Sequence, residues 1–267
     1  MKMFILRYIF FFFTFFLNGW LRQPILQSPN PAIRSVLEKT IFYRLGETII
    51  PIRITDFEGK KDKVYISLHD DEETAVEAAR QLLSEKGGRL IEISNRNHRN
   101  IRFRLRGKYY SFDPNGIFSK EGIRKTLEKQ SRYNLPAAME IERFAARILE
   151  CIKGPWSILV SLHNNTNEAF SVCSYAGKEE KSGEAKLTYI CEEKDPDNFF
   201  FTTDQSIFSH LKTLQYNCVL QDNEHCSNDG SLSYYCGKNK ITYVNCETEH
   251  GKKMEYLEML RQIKPVN

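Results

Sequence analysis

Residues 64–72, V-Y-I-S-L-H-D-D-E, read as a strand that runs directly into a helix. Apolar and more polar residues alternate as far as Leu68, which is the period-two pattern of a strand with one buried face. His69 stands at the end of this strand, and Glu72 falls in the first turn of the helix that follows. A strand end followed at once by a helical turn can bring a histidine and a glutamate to one point, as a metal site requires.

His69 and Glu72 could also occupy these positions for structural reasons alone, without binding a metal. Acidic residues are favoured at helix N-termini because the helix dipole places partial positive charge there. The pattern H-x-x-E is also short enough to occur by chance. A metal site is therefore predicted only if ligands from other parts of the chain join these two residues.

The same pattern returns at residues 158–165, I-L-V-S-L-H-N-N, where an apolar strand again ends in Ser-Leu-His. A later strand, predicted over residues 241–246, ends at Glu247. Ligands bind at the carboxyl ends of the strands in open α/β sheets. We therefore expect His163 and Glu247 to lie close to the histidine and glutamate that follow the first strand.

Two histidines and one glutamate form one ligand set of a catalytic zinc, which keeps a fourth position for water. His69, Glu72 and His163 would complete this set. A nearby carboxylate can take the proton of a water activated by the metal, and Glu247 is the candidate for this general base. Glu249 lies on the same side of an extended strand, so it stays open as the alternative base.

The composition is that of an ordinary globular protein. The chain has 267 residues, of which 41% are hydrophobic, and its 38 basic residues stand against 34 acidic ones. This length suits one large α/β domain or two small ones. The net charge of +4 is too balanced to indicate a nucleic-acid partner.

The N-terminal segment differs from the rest of the chain. Basic residues stand beside a Phe-rich run within residues 1–19, and this run is short for a membrane span. We predict an export signal, with an uncleaved membrane anchor as the alternative and no other membrane contact. The protein would then be periplasmic or secreted, with residues 20–267 as its functional domain. Export permits a local disulfide within the cluster Cys218, Cys226 and Cys236.

Strand and helix patterns alternate along the remainder of the sequence. Further strands are predicted at about residues 49–54, 89–94, 169–174, 186–191, 199–202 and 217–220, with a hairpin over residues 101–112. Helices are predicted at about residues 35–43, 120–130, 136–152, 204–214 and 252–263. This alternation predicts an α/β fold.

The H-x-x-E motif at His69, the later His163 at a strand end and the glutamate of the last strand together resemble the zinc carboxypeptidase family, including its succinylglutamate desuccinylase and aspartoacylase relatives. The resemblance covers residues 64–263 approximately. It implies a three-layer α/β fold with a mixed, twisted sheet of about eight strands between helices. It also implies zinc as the cofactor, His69, Glu72 and His163 as its ligands, and Glu247 as the general base of amide-bond hydrolysis.

One segment departs from the family pattern. The family grips a substrate carboxylate with the asparagine and arginine of a D-x-N-R segment, which residues 113–116 resemble. Asn115 matches and is expected to bind substrate, whereas Gly116 stands in the place of the arginine and cannot supply a guanidinium. Arg102 resembles a second family arginine and is expected to compensate. The alternative for Arg102 is an exposed charge on a strand.

The expected function is an exported, zinc-dependent amide hydrolase of carboxypeptidase type, acting on a peptide or a cell-wall peptide. An N-acyl amino acid deacylase, which meets a smaller substrate with the same chemistry, is the first alternative. A binding protein that kept the fold and lost turnover is the second, and Gly116 is the residue that favours it. The sequence does not indicate an oligomeric state.

Overall fold

The computed structural model describes residues 35–167 and 170–265 of the chain. The strands are β1 (Val36–Leu45), β2 (Thr48–Phe57), β3 (Lys63–Ser67), β4 (Gly88–Ile93), β5 (Ile101–Leu105), β6 (Lys108–Phe112), β7 (Ile158–Asn165), β8 (Ala185–Tyr189), β9 (Phe199–Thr202), β10 (Asn217–Gln221) and β11 (Tyr243–Glu249). The helices are α1 (Glu73–Lys86), α2 (Lys120–Gln130), α3 (Leu135–Ile152), α4 (Gln205–Thr213), α5 (Leu232–Lys238) and α6 (Lys253–Gln262). Short 3-10 turns lie at Pro114–Gly116, Val172–Tyr175 and Ser182–Glu184.

A 9-stranded mixed sheet runs through the described chain in the order β1-β2-β4-β3-β7-β11-β9-β10-β8. Its central strands β4, β3, β7 and β11 are parallel to one another. The β1/β2, β2/β4, β9/β11 and β8/β10 pairs are antiparallel. Because β3, β7 and β11 run in one direction, their carboxyl ends meet at the same edge of the sheet.

Helices cover both faces of this sheet. One hydrophobic core, which includes Ile66 and Phe144, lies between the sheet and α2, α3 and α5. The other core, which includes Tyr65 and Leu257, lies between the sheet and α1, α4 and α6. Successive residues of β3 thus point to opposite cores, as the alternation of a strand requires. The predicted α/β fold with a mixed sheet between helices is confirmed, and the sheet has nine strands where about eight were expected.

Two of the predicted elements are wrong. Residues 36–43 belong to β1 instead of a helix, because the turn at Gly46, with a φ of 59°, folds the following strand back to pair with β1 along its whole length. The described part of the strand predicted over residues 169–174 forms a 3-10 turn capped by Ser171. Helix α5 was not predicted at all, since its region reads as a loop, and it begins where Ser231 accepts a hydrogen bond from the Tyr234 N–H.

The cysteines of the described chain are free thiols, so the local disulfide that export would permit is absent from this structure. Cys218 and Cys236 are fully buried at 0% exposure, each in a hydrophobic core. Burial raises the pKa of Cys218 to about 12, which keeps this thiol protonated and unreactive.

The predicted export segment, residues 1–19, lies outside the described residues. Within residues 35–167 and 170–265, none of the helices combines the length and the apolar character that crossing a membrane needs.

Candidate metal centre

The two Ser-Leu-His motifs end on neighbouring strands of the sheet. β3 pairs with β7 in parallel, and His69 follows β3 directly while His163 lies within β7. Glu72 precedes the first residue of α1 and is its N-terminal cap residue. The chain therefore brings a strand end, a helix start and a second strand together at the carboxyl edge, as the sequence predicted.

His69, Glu72 and His163 form a compact buried cluster. Their ligand atoms lie within 4.8 Å of one another, and the three residues are 0%, 2% and 4% exposed. Glu72 stands between the rings: Oε1 lies 3.0 Å from Nδ1 of His69, and Oε2 lies 3.1 Å from Nδ1 of His163. This is the separation at which one small cation could contact all three side chains.

The far nitrogen of each ring has its own partner. Nε2 of His69 lies 2.8 Å from Oδ1 of Asp113, and Nε2 of His163 lies 3.0 Å from the hydroxyl of Ser161. Because a carboxylate only accepts, Asp113 assigns the ring proton of neutral His69 to Nε2, so that the lone pair of its Nδ1 faces Glu72, whereas the Ser161 hydroxyl can either donate to or accept from His163. A carboxylate behind a histidine is the arrangement that orients metal-binding imidazoles.

One atom of the cluster tests whether a metal fits. Oε2 of Glu72 is buried and accepts no hydrogen bond among the described residues, although it lies close to His163. A buried carboxylate oxygen without a donor is costly. A divalent cation at this point would satisfy the oxygen and both Nδ1 lone pairs, so the set fits zinc, with two nitrogens and one carboxylate.

The charges of the cluster depend strongly on one another. Burial acts to lower the pKa of His69, but Glu72 and Asp113 outweigh it and raise the pKa to about 9. Burial acts to raise the pKa of Glu72, and the two histidines outweigh it and hold that pKa well below its ordinary range. Asp113 has its pKa lowered to about 2, because the contacts with His69 and with the Asn115 N–H outweigh burial.

Glu247 lies beside this cluster. It is the register partner of His163 in the parallel β11/β7 pair, and it is 6% exposed. The amide of Asn245 donates to its Oε1 at 2.9 Å. Burial raises the pKa of Glu247, with the charge of His163 opposing this and the charge of Glu72 adding to it. A carboxylate with a raised pKa at such a place can exchange a proton with water.

Glu249, the alternative base, lies away from the cluster. Its Oε2 forms an ion pair of 2.6 Å with Lys252, and the same ammonium contacts Asp195 at 2.7 Å. Asp195, Asp197 and Glu249 also come close enough to hold a metal, but the Lys252 ammonium already supplies the positive charge there. The structure thus separates the two glutamates: Glu247 lines the cleft described next, and Glu249 belongs to a charged cluster bound by lysine.

A cleft of about 560 Å³ opens over the cluster of His69, Glu72 and His163. Its lining includes Glu72, His163 and Glu247, together with Arg99, Asn115, Tyr175, Lys181, Phe201, Asp229 and Asn245. Asn115, which was expected to bind substrate, is in the lining. Its amide oxygen accepts a hydrogen bond from the Leu232 N–H at 3.1 Å, which leaves its NH₂ group as the donor available to a ligand.

Arg102 does not reach the cleft. Its side chain is exposed on β5, and its guanidinium lies 4.2 Å from the centre of the Tyr109 ring. This corrects the expectation that Arg102 binds substrate, since alternation along the strand turns Arg102 outward while Ile101 and Phe103 are buried. Arg99, which precedes β5, lines the cleft instead, and its Nη1 lies 2.7 Å from Oε1 of Glu72.

Gly116 could not be an arginine without a local change. A Cβ atom at this position would lie 3.3 Å from Cβ of Thr126 on α2. The carbonyl oxygen of Gly116 is also approached by Gly122 and Gly230, where an added Cβ would come within 2.7 and 2.6 Å of it. The turn after Asp113 is therefore packed directly on α2, and a side chain at residue 116 would start toward that helix.

Several residues of the site were missed by reasoning from the sequence. Asp113 was expected only as the first residue of the segment that resembles D-x-N-R, with no role of its own, although its carboxylate lies 2.8 Å from Nε2 of His69. Tyr256 on α6 was not noticed: its hydroxyl accepts from the His163 N–H at 3.0 Å and donates to the Cys246 carbonyl at 2.7 Å. Lys181 lies in a region without any motif. No local pattern distinguishes these residues, because only the fold brings them to the cleft.

No protein-family model matches the sequence, and no curated protein matches it. Solved structures are similar to the chain at low identity. An aspartoacylase family protein from Mesorhizobium loti is 13% identical with a TM-score of 0.40, over 86% of this chain and 65% of that one. An ectoine utilization protein from Ruegeria pomeroyi is 12% identical with a TM-score of 0.42, over 88% and 67%.

A succinylglutamate desuccinylase/aspartoacylase from Rhodobacter sphaeroides is 11% identical with a TM-score of 0.40, over 84% of this chain and 63% of that one. The chain spans about two thirds of the length of these proteins. The proteins from Mesorhizobium loti and Rhodobacter sphaeroides are described by the family names that the sequence motifs resemble. The fold and the site of this chain define an α/β protein with a candidate His-Glu-His metal centre at the carboxyl edge of its sheet.

Proposed function

We propose that this chain is an exported, zinc-dependent hydrolase of carboxypeptidase type, which cleaves an amide bond in a peptide or a cell-wall peptide. The observation that carries the proposal is the buried Glu72 carboxylate, whose Oε2 has no hydrogen-bond donor among the described residues while Nδ1 of His163 lies 3.1 Å away. With His69, this carboxylate and this imidazole form a group that could hold a metal ion.

Bound zinc would lower the pKa of a water molecule and polarise the carbonyl under attack. Glu247, with its raised pKa, is suited to take a proton from the attacking water and to return it to the leaving nitrogen. Asn245 donates to Oε1 of this carboxylate and so holds Glu247 in one orientation, with Oε2 left to accept the proton.

Arg99 is placed to stabilise the reacting carbonyl. Its Nη1 contacts Glu72 and it lines the cleft, so its remaining N–H groups can donate to a substrate oxygen that gains negative charge. Donors that are already oriented contribute most where charge develops in the transition state. Arg99 therefore fits the part of an electrophilic group beside the metal.

Lys181 is the cation of the cleft that could bind a substrate carboxylate, since Gly116 supplies no guanidinium for this purpose. It lines the cleft, is half-buried, and no carboxylate of the described chain lies within ion-pair distance of its ammonium. Together with the free NH₂ of Asn115, it can bind a carboxylate of the substrate by charge and hydrogen bond. An ammonium lacks the paired donors of a guanidinium, so this recognition is less directional.

The volume of the cleft favours a second candidate within the same chemistry. About 560 Å³ suits a small amide as well as the end of a peptide, so an N-acyl amino acid deacylase is the alternative substrate assignment. A third candidate, a binding protein without turnover, is favoured by Gly116, which supplies no guanidinium and whose packing on α2 would require a local change before an arginine could replace it. The retained Glu247 argues against it.

Export is proposed from the Phe-rich residues 1–19, and it makes a cell-wall peptide a natural substrate. Fractionation of the producing cells tests this part by itself. Protein found only with the cytoplasmic fraction would overturn export and leave the metal chemistry untouched.

The central experiment measures metal and turnover in the same preparation. The full chain, stripped with a chelator and titrated with zinc, should bind about one ion per chain, and His163→Gln should abolish this binding. His225→Gln is the matched control, because His225 also contacts an aspartate but lies outside the cluster. Loaded protein is then offered peptides and N-acyl amino acids. Absence of any bound transition metal would overturn the ligand assignment, and bound metal without hydrolysis of either series would favour the binding protein.

A further inference from the structure

One outer edge of the large sheet is formed by β1. Within the described chain this strand has a neighbour on one side only, and it pairs there with β2 from Val36 to Leu45 without a register shift. The backbone N–H and C=O groups of its other side therefore form an uninterrupted row. Such a row is a template for a further strand, and proteins usually blunt it with short strands, bulges or proline.

The opposite edge of the same sheet is blunted in this way. β8 has 5 residues, and its pairing with β10 is broken by an irregularity between Leu220 and Gln221. β1 has 10 residues, no proline and no bulge. The two edges of one sheet thus differ in the feature that decides whether another strand can add.

Apolar side chains are exposed along the open edge. Leu37 and Phe42 are each 70% exposed, and Val36 is 47% exposed. Ile49 of β2, the register partner of Arg44, is 45% exposed beside them. Strand alternation places Val36, Phe42 and Ile49 on one face of the sheet and Leu37 on the other, so apolar surface is exposed on both faces of this edge, which indicates a contact with another molecule.

We infer that β1 pairs antiparallel with β1 of a second copy of this chain, about a twofold axis at Ile41. In this register Glu38 lies opposite the partner subunit's Arg44, and by symmetry Arg44 lies opposite the partner subunit's Glu38. Neither side chain forms an ion pair with any described residue of its own chain, and both are exposed. A twofold contact is self-complementary, so each favourable pair occurs twice.

The other pairs of this register are also compatible. Leu37 lies opposite the partner subunit's Leu45, and Lys39 lies opposite the partner subunit's Tyr43. The neighbouring twofold registers have their axis at Thr40 or at Phe42. The first places Glu38 opposite the partner subunit's Phe42, and the second places Arg44 opposite the partner subunit's Thr40, so both ion pairs are lost in either register. The charges of β1 therefore select one register.

The test is the oligomeric state of the full chain by sedimentation over a series of concentrations, in a nonionic detergent so that residues 1–19 do not associate by themselves. We expect a dimer. Each of Glu38→Arg and Arg44→Glu creates two like-charge contacts per dimer, and we expect it to raise the dissociation constant about tenfold. The double variant Glu38→Arg/Arg44→Glu should restore the affinity, because it exchanges the two charges of each pair. Lys186→Glu, on β8 at the opposite edge of the sheet, is the control and should change nothing.

A second measurement locates the axis. Ile41→Cys should form a disulfide between copies on mild oxidation, whereas Cys173, the exposed cysteine of the described chain, gives the background in the unmodified protein. The inference is overturned by a monomer at all concentrations, which includes the case in which another part of the same chain covers β1. It is equally overturned by a dimer that the single charge reversals do not weaken, or by a double variant as weak as the single ones. None of these results depends on the proposed enzymatic function.

Discussion

Glu247 and His163 are register partners on the parallel strands β11 and β7, and both side chains therefore lie on the same face at the carboxyl edge of the sheet. The pairing of these two strands places the candidate base next to a candidate metal ligand, although the two residues are far apart in the sequence. Glu249, two residues further along β11, is not part of the cleft lining and forms an ion pair with Lys252. The cleft lining and the ion pair with Lys252 therefore favour Glu247 as the candidate base, as does the end of the apolar run at this residue in the sequence.

The first prediction follows from that register. Glu247→Gln keeps the hydrogen-bond geometry but removes the proton acceptor, and we expect kcat to fall by about a hundredfold or more with zinc binding retained. Glu249→Gln is the matched control and should keep nearly full kcat, with a small loss of stability from the Lys252 pair. Steady-state kinetics with metal content measured on the same samples gives the answer. Equal losses in both variants would show that the assignment of the base is wrong.

The second prediction concerns the aspartate behind His69. Asp113→Asn keeps a hydrogen-bond acceptor near Nε2 but removes the negative charge, and we expect zinc affinity to fall tenfold to a hundredfold. Asp222→Asn removes the same kind of contact to His225 outside the site and is the control. Competition with a zinc indicator measures the dissociation constants. Unchanged affinity in Asp113→Asn would mean that His69 does not bind metal through Nδ1.

The third prediction is a pH dependence of the metal-free protein. The folded-state pKa of His69 is raised from 6.5 to about 9, so its stabilising charge is fully present below pH 6.5 and is lost as pH rises through 9. The pKa of Asp113 is lowered from 3.8 to about 2, so its contribution is present above pH 3.8 and is lost as pH falls through 2. Chelator-treated protein should be most stable between these two windows.

Urea unfolding of the chelator-treated protein at pH 6 and pH 9.5 measures the upper window. We expect a loss on the order of 3 kcal/mol from His69 at the higher pH. His98→Gln, at an exposed position, should leave this difference unchanged, whereas Asp113→Asn should reduce it. Zinc needs the unprotonated Nδ1, so its binding should release a proton below pH 9, visible as a heat that depends on the buffer. A stability that rises between pH 6 and pH 9.5 would contradict the assigned direction.

The fourth prediction tests Lys181 as the substrate-binding cation. Lys181→Met removes the charge and keeps much of the side-chain volume, and we expect KM for substrates with a free carboxylate to rise about tenfold while kcat changes little. Substrates with that carboxylate amidated should be insensitive. Lys178→Met, in the same segment but exposed and outside the cleft lining, is the control. A kcat effect without a KM effect would assign Lys181 to the chemistry instead.

Much of the fold and the centre of the site could be predicted from the sequence, for a physical reason. Strand alternation and the Ser-Leu-His endings are local patterns, and parallel strands bring their carboxyl ends together, so His69, His163 and Glu247 could be placed before any coordinates. Strand β1 could not be predicted in this way, because its residues are compatible with a helix or a strand and its pairing with β2 depends on the turn at Gly46. Arg102 and Arg99 differ by three positions in one basic stretch, and only the burial of β5 shows which one reaches the cleft.

The last prediction concerns Tyr256, which acts on the site from the opposite face of the sheet. Its hydroxyl joins the His163 N–H of β7 to the Cys246 carbonyl of β11, and the residue is 0% exposed. Tyr256→Phe removes the side-chain hydrogen bond of both buried backbone groups, so we expect a loss of about 1 to 3 kcal/mol in the free energy of unfolding. The loss should be accompanied by weaker zinc binding, because the hydroxyl holds His163 and Glu247 in register.

Urea unfolding and zinc titration of the same samples measure both effects. Tyr216→Phe is the control, since Tyr216 packs by its ring against Phe200 at the edge of the same core. A purely structural role for Tyr256 would lower stability and leave the zinc affinity of the folded protein unchanged, and that result would contradict the coupling of α6 to the metal centre.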